Sequence, residues 1–254
     1  MPALRVFPDE QSGAVYAAAV MDRVMQARRS PVFGLATGST QIPLYRQLVR
    51  MHRQGLSFAT VTTINLDEYV GLSAQSPGSF SAYMERNFFR HVDIPPGARH
   101  LPQGDAPDLA AECLRYDALL STHRLDLQLL GIGINGHIGF NEPSTSLSLK
   151  THVVALQDET ILRNSSDFPD GSNVPRQAIT VGLQSIFVAR AILLLAFGRD
   201  KAEAVAESVC GQVRTSCPAS LLQLHPRVTY VLDAAAAGRL PDAGRLLALE
   251  EAAW

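Results

Sequence analysis

Cysteine is scarce in this chain: Cys113, Cys210 and Cys217 are its only three. Their wide spacing makes neither a disulfide framework nor a paired metal-ligand motif, and it fits free thiols in a reducing cytoplasm. Long apolar runs are also missing. The most apolar stretch, "AILLLAF", falls far short of the roughly 20 residues that span a bilayer, so no membrane partner is expected. The first residues, "MPALRVFPDE", lack the basic-then-apolar order of a secretory signal, and a cytoplasmic location is the expectation. No charge of one sign is in excess, because 22 Lys and Arg against 24 Asp and Glu leave a formal net charge of -2. With no cluster of Lys and Arg along the sequence either, nucleic acid is not an expected partner. His52, His91, His100, His123, His152 and His225 are scattered without ligand spacing, so no metal centre is expected.

What is present describes an ordinary globular chain, 46% hydrophobic and 18% charged over 254 residues. That length buries a substantial core, as one large α/β domain or two small ones. Apolar runs with strand character alternate with helical-period segments. The strand candidates are "PVFGLAT", "TVTTINL", "LDLQLLGIG", "THVVAL", "QAITVG", "AILLLAF" and "VTYVLD". Helix candidates between them include "QSGAVYAAAVMDRVMQARR", "IPLYRQLVRMHRQ" and "DKAEAVAESVC". The first carries Ala14, Ala17, Ala18, Met21, Val24 and Met25 on one face. Such alternation predicts a mainly parallel sheet covered on both sides. One stretch departs from it: "RNSSDFPDGSNVPR", residues 163 to 176, reads as a loop. A long polar loop in a compact domain is either an active-site lid or plain surface.

Ligands of open α/β sheets bind beyond the carboxyl ends of the strands, so the residues that follow each strand matter most. After "VFGLA" come Thr37, Gly38, Ser39 and Thr40, with Pro43 suited to a first helical turn. That turn is either an anion site or an ordinary Ser/Thr helix cap. It lacks the Lys of a nucleotide P-loop. After "TVTTINL" comes Asp67, a candidate general base or a surface carboxylate. After "LDLQLL" comes "GIGINGHIGFNEP", whose Gly131, Gly133 and Gly136 spell a dinucleotide fingerprint. A fingerprint needs a helix directly afterwards, and "HIGFNEPSTS" has no helical period, so that reading fails. Asn135, His137 and Glu142 remain, an imidazole beside a carboxylate and hence a candidate acid–base pair, or else a structural turn histidine. After "AILLLAFG", Lys201 falls in the first turn of a helix, where it opposes the dipole unless an anion sits there.

Taken in order, "LATGST", "NLDEYVGL", "GINGHIGFNEP", "AITVG" and "GRDKAEAV" resemble the glucosamine-6-phosphate deaminases from about residue 30 to about residue 235. The sister 6-phosphogluconolactonases lack the "FNEP" continuation. The resemblance implies a three-layer α/β/α sandwich of modified Rossmann type, one catalytic domain over 1–254 with a lid around 150–176. It implies a cofactor-free reaction, classed with the hydrolases and isomerases, in which glucosamine 6-phosphate and water give fructose 6-phosphate and ammonia. Asp67 matches the base that moves the C2 proton to C1, and His137 matches the group that opens the sugar ring. Glu142 orients His137, and Asn135 stands where some members carry Asp. Thr37, Gly38, Ser39, Thr40 and Lys201 match the phosphate site. The lid arginine of the family falls on Ser166 here, which leaves Arg163 or Arg176 as its substitute. The basic residues that bind an activator between subunits in hexameric relatives correspond to His152 and Val154, so no such activation is expected of this monomer or homo-oligomer. Galactosamine 6-phosphate as substrate, 6-phosphogluconolactone hydrolysis and a sugar-phosphate-binding regulator are the competing readings.

Overall fold

The computed structural model of the chain describes residues 2–165, 168 and 174–241, with the side chains of 163 and 164 left out. Strands are numbered along the chain. β1 (Ala3–Phe7), β2 (Val32–Leu35), β3 (Thr62–Asn65), β5 (Arg99–His100), β6 (Leu127–Leu130), β9 (Ile192–Ala196) and β10 (Val228–Asp233) form a seven-stranded sheet. Its order is β1-β10-β9-β6-β2-β3-β5, and every neighbouring pair runs parallel.

The central strands are mostly apolar because both of their faces are covered, with Gln128 of β6 a buried polar exception. In β9, Ile192 and Leu194 point to one side and Leu193 and Leu195 to the other, and all four are buried. On the second side lie α1 (Glu10–Ala27), α2 (Ile42–Arg53) and α3 (Phe80–Asn87), which contribute Ala17, Met21, Leu44, Leu48 and Met84 to one core. On the first side lie α4 (Leu109–Thr122), α6 (Leu183–Phe187) and α7 (Ala202–Cys210), contributing Tyr116, Ile186 and Val205 to the other. The three-layer arrangement is the expected one.

The second sheet is not. "THVVAL" and "QAITVG" do not join the parallel sheet; as β7 (His152–Ala155) and β8 (Gln177–Thr180) they pair antiparallel with each other. Beside them, β8 pairs antiparallel with β4 (Asp67–Tyr69), which aligns His152, Thr180 and Asp67 in one row. A smaller core of Tyr69, Phe140, Leu156, Phe168, Val174 and Ala178 packs against this sheet. The expected loop also begins later than residue 163, because α5 (Asp158–Asn164) runs through its first positions. Of the remaining loop, 166–167 and 169–173 lie outside the described residues.

Connections from β2 step toward β3 and β5, whereas those from β6 step toward β9 and β10. The direction of winding therefore reverses between β2 and β6. A crevice opens at the carboxyl ends of two strands that diverge in this way.

Candidate active site

Two loops on this crevice use the same device. Gly38 after β2 has φ 97° and ψ 166°, and Gly198 after β9 has φ 93° and ψ 151°. That backbone region is open to glycine and costly for any residue with a Cβ. Each glycine turns the chain into one turn of 3₁₀-helix, Ser39–Gln41 or Arg199–Lys201, that runs straight into α2 or α7. Both turns are fastened from behind. The Tyr83 hydroxyl donates to the Gly38 carbonyl at 2.7 Å, and the Gly198 N–H donates to the Asp233 carboxylate at 3.0 Å. The result is two helix starts, with their free N–H groups and positive dipole ends, at one cavity of about 280 Å3. Thr37, Gly38, Ser39, Thr40 and Lys201 all line it.

The glycine-rich stretch after β6 supplies the opposite wall. Gly133 is needed because a Cβ there would lie 2.3 Å from His137 Nδ1, so only a bare backbone lets the imidazole fold down. Gly136 has φ 84°, and its N–H donates to the Gly133 carbonyl at 3.0 Å. These glycines form a tight turn that presents His137 and leave no helix start for a pyrophosphate.

Behind His137 stands Glu142, buried and off the cavity wall. His137 Nδ1 is 3.3 Å from Glu142 Oε2, an ion-pair separation rather than a well-aligned hydrogen bond. The carboxylate is held by two further donors: Asn135 Nδ2 at 2.8 Å on Oε2 and Thr160 Oγ1 at 2.7 Å on Oε1. Burial works to raise this carboxyl, but His137, Thr160 and Asn135 together outweigh it and hold it below the usual range. Asn135 also accepts the His137 N–H on Oδ1 at 3.1 Å, so its amide is used at both ends. An Asp here would set a second carboxylate against Glu142 in place of a donor.

Asp67 starts β4 and projects into the cavity from another side. No hydrogen bond reaches its carboxyl group among the described residues. Burial, followed by the negative charge of Glu68, pushes it up to about 8. Strand alternation sends Glu68 the other way, where it accepts the N–H groups of Tyr69 at 2.8 Å and of Phe80 and Ser81 at 2.9 Å. Burial pushes Glu68 up to about 7 against the pull of those three donors. Glu68 thus ties the start of α3 to β4 and sets Phe80 on the cavity wall.

Eight residues singled out from the sequence meet at this cavity: Thr37, Gly38, Ser39, Thr40, Asp67, Asn135, His137 and Lys201. Glu142 acts from behind His137. The Arg163 side chain and Ser166 lie outside the described residues. Arg176 is not on the cavity wall, and it pairs with exposed Asp158 at 3.7 Å. Thr160 and Glu159, which α5 brings to the cavity, carry no local sequence signal. Gln41 is also a wall residue, fully buried, with Oε1 lacking a partner among the described residues. Glu68 had a signal, its place beside Asp67 in "LDEYVGL".

Residues 10–231 match the family model described as glucosamine-6-phosphate isomerases/6-phosphogluconolactonase. Over 228 residues the chain is 47% identical to a glucosamine-6-phosphate deaminase of Thermoanaerobacter pseudethanolicus, covering 89% of this chain and 90% of that one. A solved structure described as a monomeric glucosamine-6-phosphate deaminase superposes with a TM-score of 0.91 at 44% identity, covering 93% of this chain and 99% of that one. A 6-phosphogluconolactonase from Leishmania guyanensis superposes with a TM-score of 0.75 at 19% identity, over 95% of this chain and 99% of that one, which is likeness of fold alone.

Proposed function

The chain belongs to the family of glucosamine-6-phosphate isomerases and 6-phosphogluconolactonases, and from that premise we propose that it converts glucosamine 6-phosphate and water to fructose 6-phosphate and ammonia. The observation that carries this reading is a single cavity with Asp67 on one wall, the His137–Glu142 pair on another and two helix starts at one end. The reaction is an aldose–ketose isomerisation with deamination, and it is better described so than as a hydrolysis.

The phosphate sits against Thr37 to Thr40 and Lys201, and Arg163 serves as its second cation. Held there, the phosphate positions C1 and C2 and so turns remote binding energy into orientation. His137, with Nδ1 toward Glu142, uses its other nitrogen to take the anomeric proton and return it to the ring oxygen. That opens the pyranose to the aldehyde. Asp67 then removes the C2 proton, giving the enolamine, and delivers it to C1. Water adds to the resulting C2 imine, ammonia leaves, and the ketone remains. Asp67 must be ionised to begin. The substrate's ammonium group, brought beside it, supplies the opposite charge that favours the carboxylate.

Within the stretch from 150 to 176, α5 serves as the lid, a reading supported by its Glu159 and Thr160 on the cavity wall. No cofactor is required by these steps. The relative described as monomeric supports catalysis without a residue from a second subunit. The setting is the cytoplasm, in keeping with three free cysteines and, among the described residues, no helix long and apolar enough to cross a membrane. Ammonia release from glucosamine 6-phosphate, beside galactosamine 6-phosphate, tests the proposal. Faster release from the galacto epimer, or none from either, would refute it.

A further inference from the structure

A second cavity, of about 620 Å3, shares no wall residue with the first. It lies at the other end of the sheet. Arg124 precedes β6, Arg190 precedes β9 and Arg227 precedes β10, and these three strands are neighbours in the order β10-β9-β6. Cations that stand one to a loop in the sequence are therefore gathered by the parallel sheet, and Lys150, just ahead of β7, joins them.

Most of the partners nearby are committed elsewhere. Arg190 Nε is 3.2 Å from Asp126 Oδ1, and the same oxygen takes Arg28 at 3.1 Å. Asp117, the carboxylate on the cavity wall, is engaged by Thr151, whose N–H and hydroxyl donate to it at 3.0 and 2.7 Å. Arg124, Lys150 and Arg227 have no carboxylate partner among the described residues. Four cations, Arg124, Lys150, Arg190 and Arg227, thus face one cavity against a single wall carboxylate, Asp117, in a chain whose net charge is -2. Apolar surface completes the wall: Leu120, Phe187 and Pro226, with Val188 51% exposed. The floor is braced by buried His225, which bonds Ala189 O through Nε2 at 3.0 Å and accepts the Arg227 N–H on Nδ1 at 3.1 Å.

We propose that this cavity is a second binding site, for a small phosphorylated compound that carries an apolar or ring-shaped group. Its volume lies within the range of small-molecule sites, about 300–1,000 Å3. Guanidinium forks match phosphate oxygens in pairs, and three cations suit a dianion better than a single carboxylate. The apolar wall beside them takes the rest of the ligand.

The test is a titration of the full chain with phenyl phosphate, followed by backbone-amide NMR. Saturable shifts are expected at residues 184–190 and 225–227, as a set separate from any at 37–40 and 198–201. The double variant Arg124→Ala/Arg227→Ala should weaken the first set at least tenfold and leave ammonia release unchanged. Phenol should not bind there. Shifts confined to the catalytic cavity, shifts that survive the double variant, or equal binding of phenol would each overturn the proposal. So would displacement of phenyl phosphate by a DNA oligomer at equal phosphate concentration, since the site would then read polyanions. Ammonia release is scored independently, so failure of the deaminase reading is seen apart from failure of this one.

Discussion

Two carboxylates serve one cavity, Asp67 from its wall and Glu142 from behind His137; burial pushes both toward the neutral acid, yet they end on opposite sides of the usual range. Asp67 is 6% exposed and Glu142 7%. Around Glu142 stand an imidazole, an amide N–H and a hydroxyl, and these hold it below the ordinary value. Around Asp67 no donor is found among the described residues and the next residue is another acid, so Asp67 is pushed up to about 8. Burial pushes both carboxyls the same way, and the donors placed around each decide whether that push prevails. Splitting two carboxyls in this way gives one site both a proton carrier and a fixed anion.

The comparison breaks most severely at Asp67. Asp67→Asn should lower turnover by about 10²–10⁴ while sugar-phosphate binding stays nearly intact, measured by ammonia release and by competition binding. The same change should stabilise the fold at neutral pH. Between the ordinary carboxyl value of 3.8 and about 8, the unfolded chain ionises Asp67 and the folded chain does not. Stability is thus lost as pH rises through that window, and Asn escapes the loss. A melting temperature higher by about 2 °C or more at pH 7.5 is expected, the shift that roughly 1 kcal/mol makes in a chain of this size. An unchanged or lower value would mean that Asp67 is stabilised by a donor.

Glu142→Gln should cost less, since it removes a fixed anion and not the proton carrier. The lost charge-assisted contacts are worth about 1.5–3 kcal/mol, or roughly 10–100-fold in turnover of the closed-ring substrate. An open-chain amino-alditol phosphate should bind almost as before, because it needs no ring opening. Lys201→Ala tests the phosphate end of the same cavity. It should weaken glucosamine 6-phosphate by about 1.5–3 kcal/mol and leave unphosphorylated glucosamine unaffected. Equal losses for both sugars would remove Lys201 from the phosphate site.

Asn135→Asp is the finest probe of the comparison. It replaces the amide that donates to Glu142 at 2.8 Å with a second acid. Two adjacent carboxylates cannot both ionise easily, so the Glu142 carboxyl should rise. Activity should fall less than about tenfold at pH 8, where like-charge repulsion still permits ionisation, and further as pH is lowered. A pH profile parallel to that of the unaltered chain would show that the amide does not tune Glu142.

Much of this was legible before any coordinates, and for a physical reason. Strands covered on both faces read as plain apolar runs, as "AILLLAF" does, and the residues at their ends sit together in the sequence. "TGST" and "NGHIGFNEP" therefore announced eight of the cavity's wall residues. What stayed hidden depends on distant contacts. Thr160 reaches Glu142 only because α5 folds back over the loop. The antiparallel second sheet arises because β7 and β8 flank α5 and find β4, and three-residue β4 carries no strand signal of its own. Two-residue β5 is as faint. Arg124, Arg190 and Arg227 form a cluster only once the strands that follow them lie side by side.

The most direct test of the account is a carbon-13 NMR titration of the side-chain carboxyls in the unliganded chain, with Asp67 and Glu142 assigned through Asp67→Asn and Glu142→Gln. Asp67 should titrate near about 8, and Glu142 should stay ionised down to a pH below its ordinary value of 4.5. Two carboxyls titrating together in the ordinary range, or the same two in reversed order, would contradict it.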